Sequence, residues 1–259
     1  MLSTELQKPN ANRIQIGFPK LPRVATETHF QILRQWLNYC DANHKCQPSK
    51  TVPPPTRLLD LGSKASTTIR LYETQPTDSL KYVALSHPWG KGAHFCTFRS
   101  NINKYKNGIA FENLPATFQH AVITTRELGL RYLWIDSICI IQGLDSDFNQ
   151  EVKRMEDVFS SAYCVLAASS AKGQDDGFLK ERKQEREFLT FERDGGPAFY
   201  VCRFMDDFNE HVIEGPLNKR GWVLQERALA HRTIYFTNTQ TYWECGGGVR
   251  CETLTKMDK

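Results

Sequence analysis

No stretch of this sequence approaches the ~18 consecutive uncharged apolar residues that a membrane-crossing helix needs. The amino terminus, MLSTELQKPNANRIQIGF, has no apolar core of signal-peptide length. Neither sign of charge dominates: 33 Lys and Arg face 29 Asp and Glu, and the formal charge of +4 is spread along the chain. Without a basic stripe, nucleic acid is a poor partner. These absences lead us to expect a soluble, cytoplasmic protein with no membrane association. The glycine-rich phosphate loops G-x-G-x-x-G and G-x-x-x-x-G-K-[ST] are also missing, so a nucleotide would have to be held by other means. The absence of a G-x-S-x-G elbow argues against a serine hydrolase.

What remains is ample for a fold. The chain has 259 residues, 40% of them hydrophobic, enough to bury a core without staples. Cys139 and Cys164 lie inside apolar segments, where a free thiol behaves as a small core residue, as suits a reduced compartment. Cys40, His44 and Cys46 form C-x3-H-x-C, three soft ligands that zinc could use, with Cys96, Cys245 or Cys251 as a fourth. The usual zinc pattern pairs C-x2-C with a second such pair, so the expectation is loop cysteines and no required metal or cofactor.

Residues 1–56 read as an extension to a main unit of residues 57–259. In HFQILRQWLNYC, Phe30, Leu33, Trp36, Leu37 and Cys40 recur at helical spacing and predict a docking helix. The prolines of PSKTVPPPT then mark an extended linker. From Arg57 onward, RLLDL, IRLYE and KYVALS read as strands. LPATFQHAVITTRELGL is a helix with Pro115 near its start and Gly129 at its end. RYLWID, the helix DFNQEVKRMEDVFSSA and the strand YCVLAAS follow. This alternation predicts an α/β fold with a central, mostly parallel sheet flanked by helices and joined by right-handed crossovers. KGQDDGFLKERKQERE reads as a solvated insertion or surface helix. The last third adds antiparallel-type strands, LTFERDGGPAFYVCRF and RTIYFTNTQTYWEC, around a partly buried helix or turn in GPLNKRGWVLQERALAH.

In parallel sheets ligands sit beyond the carboxyl ends of the strands, and three polar clusters fall there: Ser86–Gly90, Asp136, and Ser169 with Ser170. Loop and cap chemistry accounts equally well for the serines. One ionisable residue stands apart. On a helical wheel Phe148, Val152, Met155, Val158 and Phe159 share an apolar arc, and Glu151 is the one ionisable side chain inside it. Such a carboxylate is partly desolvated and needs a reason, which is either function or a first-turn role at the helix dipole. Arg220 and Glu226, in KRGWVLQER, are further candidates, with a buried ion pair as the alternative.

Three blocks in this order, YVALSHPWG, LPATFQHAVITTRELGLRYLWIDSICIIQ with its tail DFNQEVKRMEDVFSSAYCVLAASSA, and GPLNKRGWVLQERALAHRTIYFT, resemble the fungal HET (heterokaryon-incompatibility) domain. The resemblance runs from Lys81 to Thr237. His87 departs from it, since the family more commonly has an aromatic there. It implies a cytosolic module, often followed by regulatory, NTPase or repeat regions, whose activation in non-self recognition leads to cell death, through self-association or a signalling partner. The family has also been compared with the Toll/interleukin-1 receptor (TIR) fold, a flavodoxin-like parallel sheet, some members of which cleave NAD with a helix-borne glutamate. The matching position here is Glu151. That comparison implies NAD or a related nucleotide as substrate, with Glu151, Asp136, Arg220 and Glu226 in the chemistry. Ser86, Trp89, Gly90, Trp134, Gln142 and Trp222 would then lie around the bound nucleotide. The alternative is a non-enzymatic module for self-association or partner binding.

Overall fold

A computed structural model of the chain describes residues 21–46, 52–182, 188–193, 195–202, 206–219, 221–253 and 256–257. The docking helix, α1 (Glu27–Asn43), is capped by Thr26, whose hydroxyl accepts the His29 N–H. Its i, i+3, i+4 pattern buries Phe30, Leu33, Trp36, Leu37 and Cys40 in the same hydrophobic core as the sheet, with Trp36 against Trp243 at 6.5 Å between ring centroids.

The strands that follow are β1 (Arg57–Asp60), β2 (Thr68–Glu73), β3 (Tyr82–Ser86), β4 (Ile109–Ala110), β5 (Tyr132–Trp134), β6 (Cys164–Ala167), β7 (Phe188–Arg193), β8 (Gly196–Cys202), β9 (Arg232–Phe236), β10 (Thr241–Cys245), β11 (Gly248–Cys251) and β12 (Lys256–Met257). The helices after α1 are α2 (Ile102–Asn107), α3 (Ala116–Glu127), α4 (Asp136–Cys139), α5 (Phe148–Glu151), α6 (Met155–Ser161) and α7 (Gly221–Leu229). Ten strands form one sheet in the order β12-β11-β10-β9-β6-β3-β5-β1-β2-β4, and β7 with β8 makes a separate hairpin.

The expectation of a mostly parallel, flavodoxin-like or TIR-like sheet is corrected by the pairings. Among the sheet's strands only β3–β5, β3–β6 and β6–β9 are parallel. The other six pairings of the large sheet are antiparallel, so the fold is α/β on a mixed sheet. The physical reason is loop length. A parallel crossover needs about a dozen residues, whereas β1–β2, β9–β10 and β10–β11 are joined by short turns that only reverse the chain. Of the antiparallel-type strands expected in the last third, β9 and β10 continue the sheet together with β11 and β12, while β7 and β8 are added as a separate hairpin.

The central strands are buried throughout: every residue of β3 and β6 is inaccessible, as their apolar composition requires. α3 has no side-chain cap at its start. Its free N–H groups are met instead by the segment after β6, where the Gln174 carbonyl accepts from Thr117 N at 2.8 Å. The Gly173 carbonyl accepts the Thr117 hydroxyl at 2.7 Å, and the Gln174 side chain accepts Phe95 N at 2.8 Å. Gln174 and Phe178 are buried. The expectation that KGQDDGFL is solvated is therefore corrected for Gly173, Gln174, Gly177 and Phe178, which are buried against α3, while Lys172 and Asp175 are exposed as expected; residues 183–187 of the same run lie outside the described residues.

Candidate functional site

The sheet positions a cleft of about 210 Å³ beyond the carboxyl ends of β3 and β5. α5, α6 and α7 supply its other walls. Phe148, Val152, Met155 and Phe159 come from the helical segment 148–161, and Val223 and Glu226 from α7, which packs on α6. His87 and Trp89 enter from the loop after β3, while Asp136 and Gln142 enter from the segment after β5.

Asp136 organises the floor. It is the first residue of α4, and one of its oxygens accepts Ser137 N at 2.7 Å. The other accepts the Trp89 indole N–H at 2.7 Å, joining the two strand-end loops. His87 Nδ1 lies 3.8 Å from the Asp136 carboxylate, and the His87 ring stands edge-on to Phe118 at 5.1 Å. Burial, and then the negative charge of Asp136, push the neighbouring Cys96 thiol up to about 11, so it stays protonated at neutral pH. Glu226 sits at the meeting of this cleft with a smaller space lined by Ser86, Val223 and Arg227. Two carboxylates thus share a mainly apolar cleft with Trp89, Trp134, Phe148 and Phe159, and among the described residues no Lys or Arg lines it.

The residues that line this cleft lie within the span that a known family shares. The family model "Heterokaryon incompatibility protein (HET)" matches residues 82–226, more than half of the chain. The chain belongs to the HET family. It is also 28% identical over 222 residues to "Heterokaryon incompatibility protein 6, OR allele" of Neurospora crassa, an alignment covering 69% of this chain and 32% of that protein. The chain therefore spans about a third of the length of that relative. No solved structure matches.

Within the HET blocks, the cleft gathers Trp89, Trp134, Asp136, Gln142 and Glu226 among the residues expected from sequence. Ser86 closes β3 and faces the adjoining space instead. Gly90, at φ +84°, acts through its backbone: a Cβ there would fall 2.9 Å from Gly173 Cα, so the glycine permits the close crossing of two loops. Arg220 lies outside the described residues, as does the side chain of Trp222. The anchoring of α7 onto the sheet is carried by Arg227, which donates from Nε and Nη2 to the two Glu244 oxygens, each at 3.2 Å.

Glu151 is buried, at 7% exposure, as the wheel requires, yet it does not line the cleft. Its Oε1 accepts the Thr56 hydroxyl at 2.6 Å. Arg154 donates to the same hydroxyl at 2.7 Å and to the Pro54 carbonyl at 2.8 Å. The helix is not regular here: a 3₁₀ turn, Val152–Arg154, separates α5 from α6. The cleft wall is made by its apolar neighbours, while Glu151 ties the helix to the end of the proline linker.

Sequence reasoning passed over His87 as a site residue and treated Phe148, Val152, Met155 and Phe159 only as core. The signal was present in the arc itself, because an apolar helix face opposite strand ends can line a cleft as well as fill a core. Cys40, His44 and Cys46 lie away from this site, where α1 meets β10 and β11, and Cys245 joins them. No helix among the described residues is long and apolar enough to cross a membrane.

Proposed function

We propose that this HET domain is an effector of fungal heterokaryon incompatibility, a cell-death module in non-self recognition. In this reading its cleft takes the nicotinamide–ribose end of NAD or a related nucleotide. The observation that carries it is the pair Asp136 and Glu226 at an aromatic-walled cleft without a lining cation among the described residues. A planar, positively charged ring fits such walls, by stacking and by cation–π attraction. In the reaction the bond between ribose C1′ and the nicotinamide nitrogen breaks, and the electron pair leaves with nicotinamide. Water then adds to C1′ and releases a proton. Positive charge developing at C1′ is stabilised by Glu226 from α7, with Asp136 holding Trp89 in place for the ring. The space of about 210 Å³ suits one end of a dinucleotide, leaving the phosphates at the mouth.

The test is nicotinamide release by concentrated protein. Glu226→Gln is expected to lower turnover by roughly 100-fold or more while the fold is kept. Glu151→Gln, outside the cleft wall, is expected to stay within a few-fold of wild type. The reverse ranking would return the chemistry to Glu151, and no release at any protein concentration would remove the enzymatic reading.

A second reading, self-association or docking on a signalling protein, has its own support. Leu189, Phe191 and Val201 are exposed on the β7–β8 hairpin, with Leu189 directly opposite Val201. Leu189 and Phe191 alternate onto one face, an apolar strip that a monomer does not need. In this reading charged substitutions there abolish concentration-dependent assembly measured by light scattering.

A further inference from the structure

We propose that Cys40, His44, Cys46 and Cys245 form a closed, structural zinc site that fastens α1 to the β10–β11 hairpin. Their ligand atoms all lie within 4.8 Å of one another. Tetrahedral Zn–S bonds of ~2.3 Å set sulfur–sulfur edges of ~3.8 Å, so the ligands need to close by only about an ångström. One edge is already shorter, with Cys245 Sγ 3.3 Å from His44 Nδ1.

The fold explains why these four meet although the chain separates them widely. His44 is the C-cap of α1, and its N–H is donated to the Cys40 carbonyl at 2.9 Å, so one helical turn places both side chains on the same face. Cys46 follows as the chain leaves the helix, and Cys245 closes β10 opposite Gly248 of β11. The turn between them is Gly246–Gly247. A Cβ on Gly246 would lie 3.0 Å from Cys46 Sγ, and one on Gly247 would overlap the His44 ring. The turn thus lacks side chains where two of the ligands crowd in. Gly247 also donates its N–H to Cys245 Sγ at 3.3 Å, the kind of outer-shell contact that steadies a thiolate ligand.

The chemistry of the donors selects the metal and the role. Three thiols and an imidazole favour zinc over hard cations, and four protein ligands leave no open position for catalysis. Binding would release the thiol protons. A disulfide is the competing chemistry, but the seven cysteines whose side chains are described are free thiols. The spacing C-x3-H-x-C offered three ligands but did not decide among Cys96, Cys245 and Cys251 for the fourth, because that ligand comes from the opposite end of the chain. The inference is independent of any nucleotide chemistry in the cleft.

The experiment uses the full chain purified under reducing conditions without chelator. Elemental analysis is expected to find one zinc per chain. Replacement by Co(II) is expected to produce the intense visible bands and thiolate charge-transfer absorption of tetrahedral Cys₃His coordination. Cys245→Ser and His44→Ala should weaken zinc affinity by roughly 100-fold or more. His44→Cys, which restores four ligands, should retain zinc, and Cys251→Ser should behave as wild type. The Co(II) spectrum of the unaltered chain stands as a readout even if a variant fails to fold. The proposal is overturned if the reduced chain takes up no zinc from a zinc-buffered solution, or if His44→Ala and Cys245→Ser bind zinc as tightly as wild type. It is equally overturned if mass analysis finds a disulfide among the three cysteines in the protein as isolated from cells.

Discussion

The parallel centre of the sheet and its antiparallel C-terminal wing both draw charge away from water, half-buried at the centre and fully buried in the wing, and they do so to opposite ends. In the wing the buried groups consume one another. The Glu252 carboxylate accepts Thr241 N at 2.6 Å and the Arg182 guanidinium, and its other oxygen meets His29 Nε2 at 3.1 Å. Burial alone would raise the Glu252 carboxyl. Hydrogen bonding with His29 and the charge of Arg182 outweigh it, and the group is held below the usual glutamate range. At the centre, Asp136 and Glu226 sit half-buried at the border of a cleft, and Asp136 is bonded there to Trp89 and Ser137. Burial of a charge is therefore poor evidence of function by itself. What separates Glu252 from Asp136 and Glu226 is that a cleft adjoins the latter pair, and Glu151, buried but bonded to Thr56, belongs with Glu252 by that measure.

This contrast can be broken by substitution. The largest expected effect is in the wing. Glu252→Ala leaves His29 and Arg182 without their shared acceptor and should cost about 3–5 kcal/mol in urea unfolding. An effect below about 1 kcal/mol would mean that the network is not a structural unit. Next comes Glu151→Ala, which removes the acceptor of the Thr56 hydroxyl and should cost about 1–3 kcal/mol by the same assay. In the cleft, Glu226→Gln is expected to cost less stability than either of these while lowering the proposed nicotinamide release by roughly 100-fold. The smallest effect concerns pH. His120 Nδ1 accepts N–H bonds from Phe178 and Leu179, each at 2.9 Å, and burial first, then Lys180, hold its imidazolium form below the usual histidine range. A histidine with a lowered folded pKa binds its proton more readily when unfolded. Its contribution is thus complete above the ordinary value near 6.5 and is lost as pH falls below it. Thermal midpoints measured from pH 7.5 down to 5.5 should decline, and less steeply in His120→Gln; identical slopes would exclude His120 as the source.

Much of the central region was legible in the residues. Phe118, Ala121 and Val122 mark α3, and the apolar runs of β3 and β6 mark buried strands, because local periodicity and burial coincide there. The direction of the sheet was less so. Alternation of strands and helices holds from β3 to β6, and extending it to the whole chain overlooked the seven residues between β1 and β2, too few for a crossover. The wheel placed Glu151 inside correctly, but a wheel has no neighbours: it cannot say whether the inward side meets a cavity or Thr56. The fourth member of the Cys–His cluster could be narrowed only to Cys96, Cys245 or Cys251 for a similar reason, since no local pattern connects Cys245 to residues some two hundred positions earlier.

The crossing of Gly90 over Gly173 has a mechanical consequence. With no side chain between the two backbones, and with Gln174 N donating to the Trp89 carbonyl at 3.4 Å, the backbone of a cleft residue rests directly on the loop that caps α3. A side chain placed at Gly173 would press these two backbones apart and so reach the cleft from a position that does not line it.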